Sequence, residues 1–334
     1  MILEEEILGK PRVLQILSMY HPNGEKILQD GAEIIRTDQY DTQHLRTMVK
    51  NVDGIVLRAP AKITKEIIDA NPNLKVISGA GVGLDNIDVD YATKKGIPVL
   101  HAPAVNKTST AEHAVMLLLA LAKSVLPFHE EMKVGNYNAR MAIPSTELKG
   151  KKVGLIGFGN IAQEVAKILK RGFDMDVTAW VRKYKPEKHY VAQELGVDIQ
   201  TDIEKVFQQS DFISIHLPLS AQTRFSIDRR YFSIMKPSAY FINTARGAIL
   251  QQDDLYHALK NGNIKGAGLD VFEPEPPDEN LPLLKLPNVI VTPHVGGTTV
   301  ESNQIMATTV AQNVLKVLAG KKPQYIANPD VLNL

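Results

Sequence analysis

Short apolar runs alternate with helical patterns along almost the whole chain. "RVLQIL" from Arg12, "GIVL" from Gly54, "KVIS" from Lys75 and "IPVL" from Ile97 read as buried strands. Between them, "DTQHLRTMVK" from Asp41 and "TKEIIDA" from Thr64 carry helical spacing. The pattern restarts after "NKTSTAEHAVMLLLALAK", with strands predicted at "KKVGLIG" from Lys151, "DVTAWV" from Asp176, "DFISIHL" from Asp211, "AYFIN" from Ala239, "KGAGLDV" from Lys265 and "NVIVT" from Asn288. A last long helix is expected over about Thr299 to Leu318, stopped by Gly320 and Pro323. Strands alternating with helices predict an α/β fold, with parallel sheets joined by crossover helices. "FEPEPPDENLP" is too rich in proline for a helix interior and reads as an ordered loop.

Composition narrows the class. With 334 residues, two lobes are expected rather than one. The net charge of +1 gives the chain no overall field to recruit nucleic acid or an acidic membrane. The absence of cysteine excludes disulfides, thiolate nucleophiles and cysteine metal sites. "MILEEEILGK" at the N-terminus is acidic and lacks the plan of a signal peptide. The longest apolar run, Ala114 to Ala122, is too short for a membrane span and reads as a buried helix. A cytoplasmic protein is the resulting expectation.

"VGLIGFGNIA", Val153 to Ala162, matches G-x-G-x-x-G/A through Gly157, Gly159 and Ala162. Gly157 allows the tight turn, Gly159 lets backbone approach a pyrophosphate, and a small residue at 162 lets helix and strand pack closely. Asn160 and Ile161 open the helix whose free N–H groups would hold the phosphates. The predicted ligand is a dinucleotide. An acid to hold the ribose 2′-OH is missing at the end of the next strand, where Val181 is followed by Arg182, Lys183 and Lys185. A guanidinium grips a 2′-phosphate that a carboxylate would repel, so NADPH is favoured and NADH kept open. The alternative is a solvated basic turn.

Three polar residues follow the later strands: Arg246 in "NTARG", Glu275 in "DVFEPEPP" and His294 in "TPHVGG". Ligands of open α/β sheets bind beyond the carboxyl ends of the strands, so all three point to one crevice. An imidazole there is a candidate general acid/base, a guanidinium a clamp for carboxylate and carbonyl, and a carboxylate an orienter of the imidazole. A metal site is not expected, because no ligand spacing surrounds any of the nine histidines.

"NTARGAIL", "GAGLDVFEPEP" and "NVIVTPHVGG", with "VLRAPAKIT" and "GAGVGLDNID" upstream, resemble the signature segments of the D-isomer-specific 2-hydroxyacid dehydrogenases. That family includes glyoxylate/hydroxypyruvate reductases and phosphoglycerate dehydrogenases. The resemblance implies two Rossmann-like lobes. A doubly wound cofactor domain, residues 105–296, would be inserted into a flavodoxin-like substrate domain of residues 1–104 and 297–334. It implies reduction of a small 2-keto acid, with Arg246, Glu275 and His294 catalytic. The catalytic glutamate directly precedes a proline at 275, not at Glu273. It further implies that Val82 and Gly83, in the glycine-rich "SGAGVGLDNID", bind substrate carboxylate through backbone N–H groups; a tight structural turn is the alternative. Arg58 would face the substrate or make a half-buried salt bridge. Asp270 would lie near the nicotinamide carboxamide or act as a cap. His216, Pro218 and Thr223 match the adenosine side of the cofactor site, and Thr244, Ala245 and Gly296 the nicotinamide side. His113 reads as helix packing and a dimer contact, and the region around 109–145 as a dimerisation arm, so a homodimer is expected. Rival readings are a same-fold regulator without turnover, and a dehydrogenase of 3-phosphoglycerate or phosphite. With nothing after residue 334, the regulatory domain of longer phosphoglycerate enzymes is not expected.

Overall fold

A computed structural model describes residues 9–333; most of the acidic "MILEEEILGK" stretch lies outside them. Two compact units divide the chain, one made of Met1–Asn106 with Thr299–Leu334 and the other of Lys107–Thr298.

In the first unit, β1 (Arg12–Ile16), α1 (Pro22–Gly31), β2 (Glu33–Thr37), α2 (Thr42–Met48), β3 (Gly54–Leu57), α3 (Lys65–Ile68), β4 (Val76–Gly79), α4 (Val89–Lys94) and β5 (Val99–Leu100) alternate. The strands form one sheet in the order β2-β1-β3-β4-β5, with every neighbouring pair parallel. This is the flavodoxin-like order. β3 and β4 are buried along their full length, as short continuous apolar runs between two helical layers must be. The final helix of the chain, residues Val300–Leu318, returns to this unit and packs on α1. Gly24 on α1 permits that contact, because a Cβ there would lie 2.5 Å from the Ala307 carbonyl oxygen. Thr299 and Ser302 cap the final helix reciprocally, each side chain bonding the other's backbone N–H.

The second unit opens with α5 (Lys107–Ala122) and α6 (Val125–Lys133), followed by β6 (Lys152–Ile156), α7 (Asn160–Phe173), β7 (Asp176–Trp180), α8 (Pro186–Leu195), β8 (Asp198–Gln200), α9 (Ile203–Gln209) and β9 (Phe212–Ile215). Next come α10 (Arg229–Ile234), β10 (Tyr240–Asn243), α11 (Gln252–Lys260), β11 (Gly266–Leu269) and β12 (Val289–Val291). All of its strand pairs are parallel, in the order β12-β11-β10-β9-β6-β7-β8. The chain leaves β6 for β7 and β8 on one side and takes up β9 on the other. β6 is therefore the switch point at which a doubly wound sheet binds its ligand. The final helix of the first unit becomes α12 in chain order.

α5 is apolar on most of its circumference because it is covered on two sides, by α7 and by β10 and β11. Gly268 on β11 makes room for it, since a Cβ there would meet Leu117 at 3.0 Å. Among the described residues no single helix is long and apolar enough to cross a membrane.

β2 and β8 stand outside the predicted strands. Both are edge strands with mixed exposure, so neither shows a buried apolar run. The residues predicted as strands at the other ten positions contain strands, with ends moved by at most two residues.

Candidate active site

Arg246, Glu275 and His294 follow β10, β11 and β12, which are neighbours at one side of the second unit's sheet. His294 Nδ1 lies 2.7 Å from Glu275 Oε2. The other Glu275 oxygen accepts the Phe272 N–H at 2.9 Å, so the carboxylate is held at both ends. Burial pushes the Glu275 carboxyl up, but the bond and charge of His294, the Phe272 N–H and the nearby Arg246 charge outweigh it. The net pKa is below its ordinary 4.5. Arg246 donates from Nη1 to the carbonyl of Ala245 at 2.7 Å, and Asn243 donates to the Arg246 carbonyl at 2.9 Å. The turn after Arg246 is tight: a Cβ on Gly247 would fall 2.0 Å from the backbone of Phe272. Glycine there holds the Arg246 backbone against the segment that leads to Glu275.

The His294 backbone is left-handed, with φ +56°. That region costs a non-glycine residue about 1–2 kcal/mol. Asp270 supports it. The Asp270 carbonyl accepts the His294 N–H at 2.8 Å. Its carboxylate accepts the Thr292 hydroxyl at 2.6 Å, the Val295 N–H at 2.9 Å and the Gly296 N–H at 2.8 Å. Asp270 is 1% exposed. Burial alone would raise its pKa, yet contacts from His113, Thr292, Val295 and Gly296 hold it below its ordinary 3.8. His294→Gly is expected to be more stable than His294→Ala by ~1 kcal/mol, because only glycine is at ease at this φ; equal melting temperatures would show that the turn carries no strain.

The two lowered carboxyls set an acid limit. Each contributes stability that is complete above its unfolded pKa and is lost as pH falls through its folded one. Wild-type stability therefore drops below about pH 4.5, and Asp270→Asn, which lacks one of these groups, loses less of its own stability over that window. Melting temperatures recorded from about pH 6 down to pH 3 test this; parallel curves for the two proteins would refute it.

The glycine-rich loop fits a dinucleotide. Gly157 has φ +104°, and a Cβ there would meet the His216 carbonyl oxygen at 2.5 Å. A Cβ on Gly159 would meet nothing within 4 Å, so this turn borders open space. Gly159 caps α7 without a side chain, leaving the N–H groups around Asn160 and Ile161 for a ligand. Ala162 is fully buried, as close helix–strand packing needs. Thr244 Oγ1 is buried with no hydrogen-bond partner among the described residues, as befits a group awaiting one.

Other residues stand as follows. Arg182 and Lys183 are exposed just beyond β7. The His216 ring bonds Ser214 Oγ at 2.9 Å, and burial lowers its pKa to about 4, so it is neutral near pH 7. Thr223 closes its own loop, donating to the Pro218 carbonyl at 2.6 Å and accepting the Ser220 N–H at 2.8 Å; Pro218 itself is exposed. The Ala245 N–H is taken by Asn243 Oδ1 at 3.0 Å. In the first unit, the Arg58 guanidinium lies 5.2 Å from the Tyr20 ring centre, with Nε buried and without a hydrogen-bond partner. Among the described residues it lies over this ring and makes no salt bridge, the alternative considered for it. Val82 lies in the bend that follows β4, with Gly83 directly after it.

Sequence reasoning missed two polar links. His113 Nε2 lies 2.9 Å from Thr292 Oγ1 and 3.4 Å from Asp270 Oδ1, so this residue does more than pack a helix. Lys188 on α8 donates to the Phe158 carbonyl of the glycine-rich loop at 2.5 Å. Burial, and Lys185 nearby, lower its pKa.

The family model described as D-isomer specific 2-hydroxyacid dehydrogenase, NAD binding domain, matches residues 115–296. The hydroxypyruvate reductase of Thermotoga maritima is 40% identical over 296 residues, covering 88% of this chain and 94% of that protein. The chain belongs to the D-isomer-specific 2-hydroxyacid dehydrogenase family. The family's NAD-binding domain is thus the second unit's doubly wound sheet, with Gly157 and Gly159 at its switch point. The D-3-phosphoglycerate dehydrogenase of Methanocaldococcus jannaschii is also 40% identical, over 308 residues and 92% of this chain, but the match spans only 58% of that protein. Among solved structures, an NADPH-dependent glyoxylate/hydroxypyruvate reductase from Sinorhizobium meliloti, in complex with NADP and malonate, matches with a TM-score of 0.85. It is 27% identical, and the match covers 96% of this chain and 97% of that one.

Proposed function

We propose that the protein reduces a small 2-keto acid of the glyoxylate or hydroxypyruvate kind to its D-2-hydroxy acid, with NADPH preferred over NADH. The observation that carries this reading is the 2.7 Å pair of His294 and Glu275 on the strand ends next to Arg246. When bound, the reduced nicotinamide supplies hydride to the carbonyl carbon of the substrate. Arg246 holds the substrate carboxylate and polarises the carbonyl with its fork of N–H donors. His294 gives a proton to the carbonyl oxygen in reduction and takes it back in oxidation. Glu275 accepts from Nδ1, which leaves Nε2 to carry the transferred proton and steadies the imidazolium. The second unit holds the cofactor. A homodimer in the cytoplasm completes the reading.

A panel of glyoxylate, hydroxypyruvate and larger 2-keto acids, with each cofactor, tests it through the absorbance of the reduced nicotinamide. No oxidation with any of them would leave a regulator without turnover. Oxidation of 3-phosphoglycerate belongs in the same panel, because the Methanocaldococcus jannaschii relative bears that activity in its name. Arg182→Ala is expected to erode the NADPH preference about tenfold, as one charge-assisted contact to a 2′-phosphate is lost. An unchanged ratio of kcat/KM for the two cofactors would make the basic turn surface only.

A further inference from the structure

We propose that His113 is a positioning residue for the His294 turn, acting through Thr292 and Asp270. This proposal rests on the reading of His294 as the proton donor. Asp270 is ionised near neutral pH, so its carboxylate only accepts, and the 2.6 Å contact must be a bond donated by the Thr292 hydroxyl. The single hydroxyl proton is then committed. The 2.9 Å contact between His113 Nε2 and Thr292 Oγ1 is therefore donated by the ring, which fixes the proton on Nε2. The result is a directed chain from α5 to the turn: His113 to Thr292, Thr292 to Asp270, with the Val295 and Gly296 N–H groups converging on the same carboxylate.

Packing closes the arrangement. A Cβ on Gly296 would lie 2.9 Å from Asp270 Oδ2 and 3.2 Å from His113 Cδ2, so the ring approaches the turn at a glycine. His113 is the only member of this chain that comes from α5; the others belong to the segments after β11 and β12. Without the bond donated by His113, the Thr292 hydroxyl is held only by its own bond to Asp270, and the contact loses its anchor on α5. The left-handed His294, whose N–H rests on the Asp270 carbonyl, then loses part of its support.

Amide hydrogen exchange of Val295 and Gly296 in the full chain tests the proposal, alongside kcat and cofactor Kd. His113→Leu and Thr292→Val should each speed exchange at both amides and lower kcat about tenfold, with cofactor Kd little changed. His113→Gln, whose amide N–H can stand in for Nε2–H, should restore both readings, and the Leu and Val changes together should be no worse than either alone. Unchanged exchange in His113→Leu would overturn the proposal. So would exchange as fast in His113→Gln as in His113→Leu, because packing and not the donated bond would then be at work. Should His113→Leu fail to fold, His113→Asn, whose shorter amide cannot reach Thr292, leaves the Thr292 to Asp270 bond in place and is judged by the same exchange. If the wild-type protein turns over no 2-keto acid, the functional reading fails, while the exchange measurement still decides what His113 does to the turn.

Discussion

His294→Gln is expected to lower kcat for 2-keto acid reduction by at least ~10²-fold while NADPH affinity stays within about twofold. Glutamine fills similar space and offers an N–H toward Glu275, so the turn and the carboxylate keep a partner. It has no group that gives up a proton near neutral pH. The loss should therefore fall on the chemical step, and kcat and kcat/KM should decline together, as expected when an interaction made only in the transition state is removed. Cofactor Kd is measured by quenching of protein fluorescence on titration with NADPH. Wild-type turnover in the variant would remove His294 from the mechanism. A parallel loss of cofactor affinity would mean that the turn, and not the proton, had been disturbed.

The second large effect is expected at Arg246. Arg246→Ala removes the donors assigned to both the substrate carboxylate and the developing oxyanion. One such donor typically contributes ~10²–10³-fold in rate, so a loss of at least that size is predicted, together with a raised KM. Arg246→Lys should recover little, because a single ammonium cannot reproduce a planar fork. Arg246 also lowers the Glu275 pKa, so its removal weakens the grip on His294 at the same time. The two losses are then non-additive: the double variant Arg246→Ala with His294→Gln should be only slightly worse than the poorer single. Activity at the wild-type rate in Arg246→Ala would refute the substrate role.

The fold was legible wherever strands are buried on both faces. "GIVL", "DFISIHL" and "AYFIN" are mostly apolar, and the strands within them are buried throughout, because helices cover both sides of the sheet at those points. Glu33–Thr37 and Asp198–Gln200 escaped notice because an edge strand need not be apolar. Arg246, Glu275 and His294 stood out because each follows such a run within a few residues and sits among glycines or prolines that no helix would keep. The link from His113 to Thr292 spans 179 residues, and nothing local in "TAEHAV" marks the partner. Lys188 was hidden for the same reason: its partner is a backbone carbonyl thirty positions away, which leaves no trace in residue type.

The left-handed backbone at His294 sets heat resistance against turnover. A laboratory lineage grown only for survival at high temperature would drift at this position toward glycine or asparagine, and would shed the group proposed as proton donor on the way. Selections for hardier forms of this protein need an activity screen at every round, or the fittest survivor will be inert.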